Sequence, residues 1–162
     1  MPVDDIENND FEYVGFWVRF GASLIDTLLV MAVLTPLLMA IYGRAYFDNA
    51  AQGIASGSLD TLINWVLPAA AVIVFWLTKQ ATPGKMVFGA KVVDARTGGP
   101  LSVGQSIGRY LGYYVAMLPF FLGFFWIGFD ARKQGWHDKL AGTVVIRPKQ
   151  RGTEPVRFNS KV

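Results

Sequence analysis

Long apolar runs, with the charges gathered between them, constrain this chain more than any other feature. A helix in a soluble domain keeps one wet face, so its charges recur along its length. Here residues 14–42, 59–77 and 110–129 form three segments with few or no charges. Each reaches the length of about 20 residues that a helix needs to cross a hydrocarbon core of roughly 30 Å. The expected fold class is therefore an all-α polytopic membrane protein of about three transmembrane helices. Phe16, Trp17 and Tyr42 lie near the ends of the first run, where amphipathic rings favour the headgroup level. Pro36 is expected to kink its last turns, and Pro68 lies inside the second run, where neighbouring groups can satisfy the freed carbonyl. The acidic start of the chain lacks the basic region of a signal peptide, so the first run is expected to be a retained anchor.

The stretches between the runs carry the topology. Residues 1–13 read as an acidic tail with five acids and no base. Residues 43–60 are small and polar and read as a loop, with room for a short helix. The connector 79–109 holds Lys79, Lys85, Lys91, Arg96 and Arg109 against Asp94, and the chain from Asp130 onward is basic again. Bases near segment ends stay cytoplasmic, which puts the connector and the N-terminus inside the cell membrane, inner or plasma, and the loop 43–60 outside. A third full crossing then leaves the basic tail outside, against the same rule. The length of 110–129 favours a plain crossing; Pro119 and Gly123 offer a kink or a re-entrant turn instead. Residues 90–95 and 142–146 read as short strands that can pair in a small hairpin-like cytoplasmic element, and their pairing argues for the turn. Ser102 is an expected N-cap, with Gln105 three residues on. The tail motif is expected over 130–147 and a polar, disordered end over 148–162.

The absence of cysteine and the single histidine exclude disulfides, thiolate metal sites and multi-histidine centres within one chain. There is no nucleophile–base arrangement, so an enzyme is not expected, and no cofactor is implied. Gly84-Lys85 lacks both the upstream glycine and the following Ser or Thr of a phosphate loop. It reads as a tight turn with Lys85 at the headgroups. The bases adjoin membrane segments and fit anionic lipid headgroups better than nucleic acid.

Arg19 and Asp26 carry the chemistry of the first run. Seven helical residues turn about 700°, so the two point within about 20° of each other, roughly 10 Å apart along the axis. Their face also holds Gly15, Ala22, Ser23, Val30 and Val33, a stripe of small and β-branched residues that admits another helix. Arg19 can snorkel to the interface, but Asp26 is too short and too deep, so protein must shelter it. Pairing with Arg19 or with a base elsewhere is one reading; an ion or proton site, a Na+ site included, is the other. His137-Asp138 reads as a hydrogen-bonding element or a proton relay. Arg109 can pair with Asp138, Asp130 or Asp26, and Asp130 reads as an interface carboxylate or cap.

The segments RFGASLIDTLLV, TPGKMVFGAKVVDARTGGPLS and RKQGWHDKLAGTVVI, in this order, resemble the RDD family of mostly bacterial membrane proteins, over residues 13–147. That family is named for an arginine and two aspartates. The resemblance implies Arg19 for the arginine, Asp26 for the first aspartate, and Asp138, ahead of Asp130, for the second. It also implies transport, with sodium or lithium exchanged for protons in some members. The leading expectation is a small transporter subunit, with Asp26 the exchanging carboxylate, Arg19 its tuner, and Asp138 with His137 a gate. Three helices cannot easily enclose a path, so a homo- or hetero-oligomer is expected. The alternative is a non-transporting scaffold or assembly factor that binds partner helices through the Arg–Asp face.

Overall fold

The computed structural model describes residues 10–51 and 57–149. The first nine residues of the acidic tail and the polar end from residue 150 lie outside the described residues. The chain opens with strand β1 (Phe11–Tyr13) and enters helix α1 (Phe16–Tyr42). α1 runs unbroken through Pro36. A short helix α2 (Ala45–Ala51) stands in the expected loop. The second run is one 22-residue helix, Ser58–Lys79. It comprises α3 (Ser58–Thr61), a π-helical turn (Leu62–Val66) and α4 (Leu67–Lys79). Proline cannot donate to the ladder and clashes with the carbonyl four residues back; the wider π turn just before Pro68 is where the helix accommodates this. α1 and Ser58–Lys79 are both long and apolar enough to cross a membrane.

After α4 come helix α5 (Pro83–Val87), strand β2 (Lys91–Asp94), helices α6 (Val103–Met117), α7 (Leu122–Phe129) and α8 (Trp136–Ala141), and strand β3 (Thr143–Pro148). α6 starts in the expected capping box: Ser102 Oγ accepts from the Gln105 N–H at 3.2 Å, and the Ser102 N–H donates to Gln105 Oε1 at 3.0 Å. The three strands form one antiparallel sheet in the order β1-β3-β2. β2 pairs with β3 from Lys91↔Ile146 to Asp94↔Thr143 as expected, with Val92 opposite Val145 and Val93 opposite Val144. The third strand corrects the reading of residues 1–13 as a tail: Phe11–Tyr13 pairs with Pro148–Ile146. Val92 and Val145 join Val14, Trp76, Ala90 and Leu101 in the buried core beneath the sheet.

The third run does not cross as a straight helix. α6 and α7 meet at 101°. Pro119 brings no N–H to the junction, Phe120 and Phe121 adopt left-handed backbone at φ 51° and 61°, and Gly123 lets α7 fold against α6. A Cβ on Gly123 would lie 2.6 Å from Ala116 Cα. The joint leaves Phe120 at the tip, 91% exposed. One sheet cannot lie on both sides of a bilayer, so the bent pair joining β2 to β3 returns to the side it left. Length alone favoured a crossing; the sheet and the close α6–α7 packing overrule it.

Candidate functional site

Two carboxylates organise the molecule, and each sits where three or more elements meet. Asp138 lies in the first turns of α8, on a carboxyl group with no exposed surface. Arg19, from the first turns of α1, reaches its Oδ2 at 2.5 Å. Arg109, from α6, pairs with its Oδ1. The Gly135 N–H donates to Oδ2 at 3.0 Å, and the Thr143 hydroxyl lies 3.4 Å from Oδ1. A carboxylate offers about four lone-pair sites, so this one is full.

Two arginines against one aspartate leave an excess of positive charge, and the surroundings absorb it. Arg19 also donates to the carbonyls of Val14 at 2.9 Å and Lys133 at 2.6 Å. Arg109 donates to Thr143 Oγ1 at 2.6 Å and lies over the Trp76 ring, 5.2 Å from its centroid. Burial by itself pushes the Asp138 carboxyl up, but Arg109 and Arg19 outweigh it and hold the group below the usual carboxylate range. His137 is buried between Tyr113 and Phe124, with ring centroids at 4.5 and 5.1 Å, and its Nε2 lies 3.5 Å from Asp138 Oδ2. Burial lowers its pKa to about 3; Asp138 opposes this, while Arg109, Arg19 and Lys85 add to it. His137 is therefore neutral at physiological pH. Gly112 on α6 lets α8 approach: a Cβ there would lie 2.9 Å from His137 Cα.

Asp26 is elsewhere and is held differently. The Thr82 hydroxyl donates to its Oδ2 at 2.5 Å and the Gly84 N–H to its Oδ1 at 2.6 Å. The small-residue face of α1 is what admits α5 so closely: a Cβ on Gly84 would fall 2.0 Å from the Ala22 carbonyl oxygen. No base forms an ion pair with Asp26 among the described residues. Lys85 connects to it through Thr82, whose hydroxyl oxygen lies 3.4 Å from its Nζ. Lys85 is buried, not spread among headgroups as the sequence suggested, because α5 lies against α1. On its far side Asp26 lines a cleft of about 340 Å³ between α1 and α4, whose other walls include Leu29, Val33, Leu67, Ala71 and Phe75.

The structure thus brings Arg19, Arg109, His137 and Asp138 together and leaves Asp26 apart, with Arg19 paired to Asp138 and not to Asp26. Asp130, the other candidate for a partner, pairs with Lys139 at 2.5 Å and accepts from the Arg132 and Gln134 N–H groups. Sequence reasoning missed Thr82 and Gly84 as partners of Asp26, and Thr143 and Trp76 as neighbours of Arg109. The Thr82-Pro83-Gly84 turn was visible; that a sheltered carboxylate needs donors was the signal that could have joined the two.

Comparison with known proteins identifies the family. The uncharacterized protein YxaI of Bacillus subtilis is 30% identical over 149 residues, covering 82% of this chain and 95% of that protein. The uncharacterized membrane protein YteJ of the same organism is 28% identical over 160 residues, covering 90% and 94%. The uncharacterized protein RP437 of Rickettsia prowazekii is 43% identical over 75 residues, 46% of this chain and 41% of that one. No solved structure matches. The family model for the RDD family matches residues 13–142, which include Arg19, Asp26, Arg109 and Asp138. This chain belongs to the RDD family and is a membrane protein.

Proposed function

We propose that the chain is a small transport subunit that exchanges a monovalent cation for a proton at Asp26. One observation carries the reading: Asp26 is held by two neutral donors, with about two lone-pair sites left over beside a cleft between membrane helices. A carboxylate tied to arginine cannot give up its charge partner at each turnover; one held by a hydroxyl and an amide can take a proton or a cation in turn. Lys85, one hydroxyl away, is placed to feel which of the two is bound. In this reading Arg19, Arg109, His137 and Asp138 hold α1, α6 and α8 in register so that the cleft keeps its shape. In this reading the sheet lies on the cytoplasmic side, which the bases of the connector favour. One chain cannot enclose a path, so the working unit is an oligomer.

The test is dye-monitored cation/proton exchange in everted vesicles, wild type against Asp26→Asn at equal protein. Exchange by the wild type and none by the variant supports the reading; equal activity removes Asp26 from the mechanism. A scaffold or assembly role is the second reading, favoured by how little of α1's most apolar stretch the chain itself covers. It predicts a co-purifying membrane partner lost on substitution of the uncovered face, with no ion flux.

A further inference from the structure

The walls of the cleft say more about its ligand than the charge of Asp26 does. Its lining is apolar apart from Asp26 and Thr82, and several of its residues, Leu29, Val33 and Leu67 among them, are exposed on the surface that meets the bilayer. A bare alkali ion leaves water only where oxygens replace its hydration shell. Here it would find the carboxylate, one hydroxyl and hydrocarbon. An organic cation has no such demand, because its charge is spread and its body gains by leaving water. The volume of about 340 Å³ lies at the lower end of the range of small-molecule sites, which are mostly apolar with a few placed polar groups. That volume suits a ligand of a few rings and is too small to enclose a two-chain lipid.

We propose that the ligand of this cleft is a lipophilic organic monocation, which enters sideways from the bilayer, sets its charge against Asp26 and lays its apolar body along Leu29, Val33, Leu67 and Phe75. The proposal rests on the exchange reading above and gives it a substrate class: one organic cation enters as one proton leaves the carboxyl group. Ala71 gives an independent handle, because it lines the cleft from α4 without touching the hydrogen bonds of Asp26.

The experiment uses the full chain in phosphatidylcholine nanodiscs, with ethidium as the probe and fluorescence anisotropy as the readout. Saturable binding above that of empty nanodiscs is expected, weakened about tenfold or more by Asp26→Asn through loss of a charge-assisted contact. Ala71→Phe, which fills the cleft and leaves the carboxylate, should weaken it similarly, and it serves alone if Asp26→Asn fails to fold. Absence of saturable binding by the wild type, unchanged binding in Ala71→Phe, or displacement of ethidium by phosphatidylethanolamine overturns the proposal. Sodium-driven proton release that needs Asp26, without ethidium binding, overturns it and leaves exchange standing. Ethidium binding that needs Asp26, without proton release by any cation, keeps the site and overturns exchange.

Discussion

The carboxylates of Asp138 and Asp26 are both drawn into the protein, but by opposite means. Asp138 receives two guanidinium groups, an amide and a hydroxyl, and has nothing left to offer. Asp26 receives one hydroxyl and one amide and keeps an open side. Removing one partner from a buried ion pair costs far more than the pair contributes, because the remaining charge is stranded. The difference therefore separates a residue that holds the fold from one that can change state without breaking it.

The largest expected effect comes from Asp138→Asn. It strands two buried arginines and should cost about 3–5 kcal/mol, read as a lowered thermal midpoint or as loss of folded protein in detergent. A stable variant would mean that the carbonyls around Arg19 suffice without Asp138. Gly84→Ala comes next, at about 3 kcal/mol, since its Cβ meets the α1 backbone, where no side chain can give way. It should also raise protease sensitivity in the connector 79–109. Acidification probes the cluster around Asp138. His137 titrates near 3 when folded, and near its ordinary value of 6.5 when unfolded. Between these values the unfolded chain binds the extra proton, so stability is full above about pH 6.5 and is lost as pH falls, by up to about 1.4 kcal/mol per unit. Asp138, held low, adds to the loss once pH passes below the ordinary carboxylate range. Midpoints measured from pH 8 to 5 should fall in the wild type and fall less in His137→Gln. Asp26→Asn should move stability least, by about 1 kcal/mol, since an amide can still accept one of the two hydrogen bonds. If it proved as damaging as Asp138→Asn, the two carboxylates would share one role.

Much of the frame was legible in the sequence. The two crossing helices follow from apolar length, the start of α6 from Ser102 and Gln105, and the pairing of β2 with β3 from two short β-branched runs. Other features needed the third dimension. Twenty apolar residues favour a single span, and Pro119 became decisive only beside the close Gly123–Ala116 approach and the sheet. Phe11–Tyr13 is too short to announce itself as a strand. Arg19 and Asp26 share a helix face, yet each takes its partners from other elements. The partner of Arg19 lies 119 residues away, a distance along the chain that no local pattern encodes.

The return of the bent pair also bears on how the membrane divides the chain. With two crossing helices and a returning pair, the stretch between α1 and α3 lies across the bilayer from the sheet. From residue 43 to 57 it carries one base, Arg44, and one acid, Asp48. The three strands, and the pairs that Arg19 and Arg109 make with Asp138, all gather on the opposite side from that loop. Whichever side the sheet occupies, what is parted from it is a short, electrically balanced loop, and the strands meet on one face of the membrane.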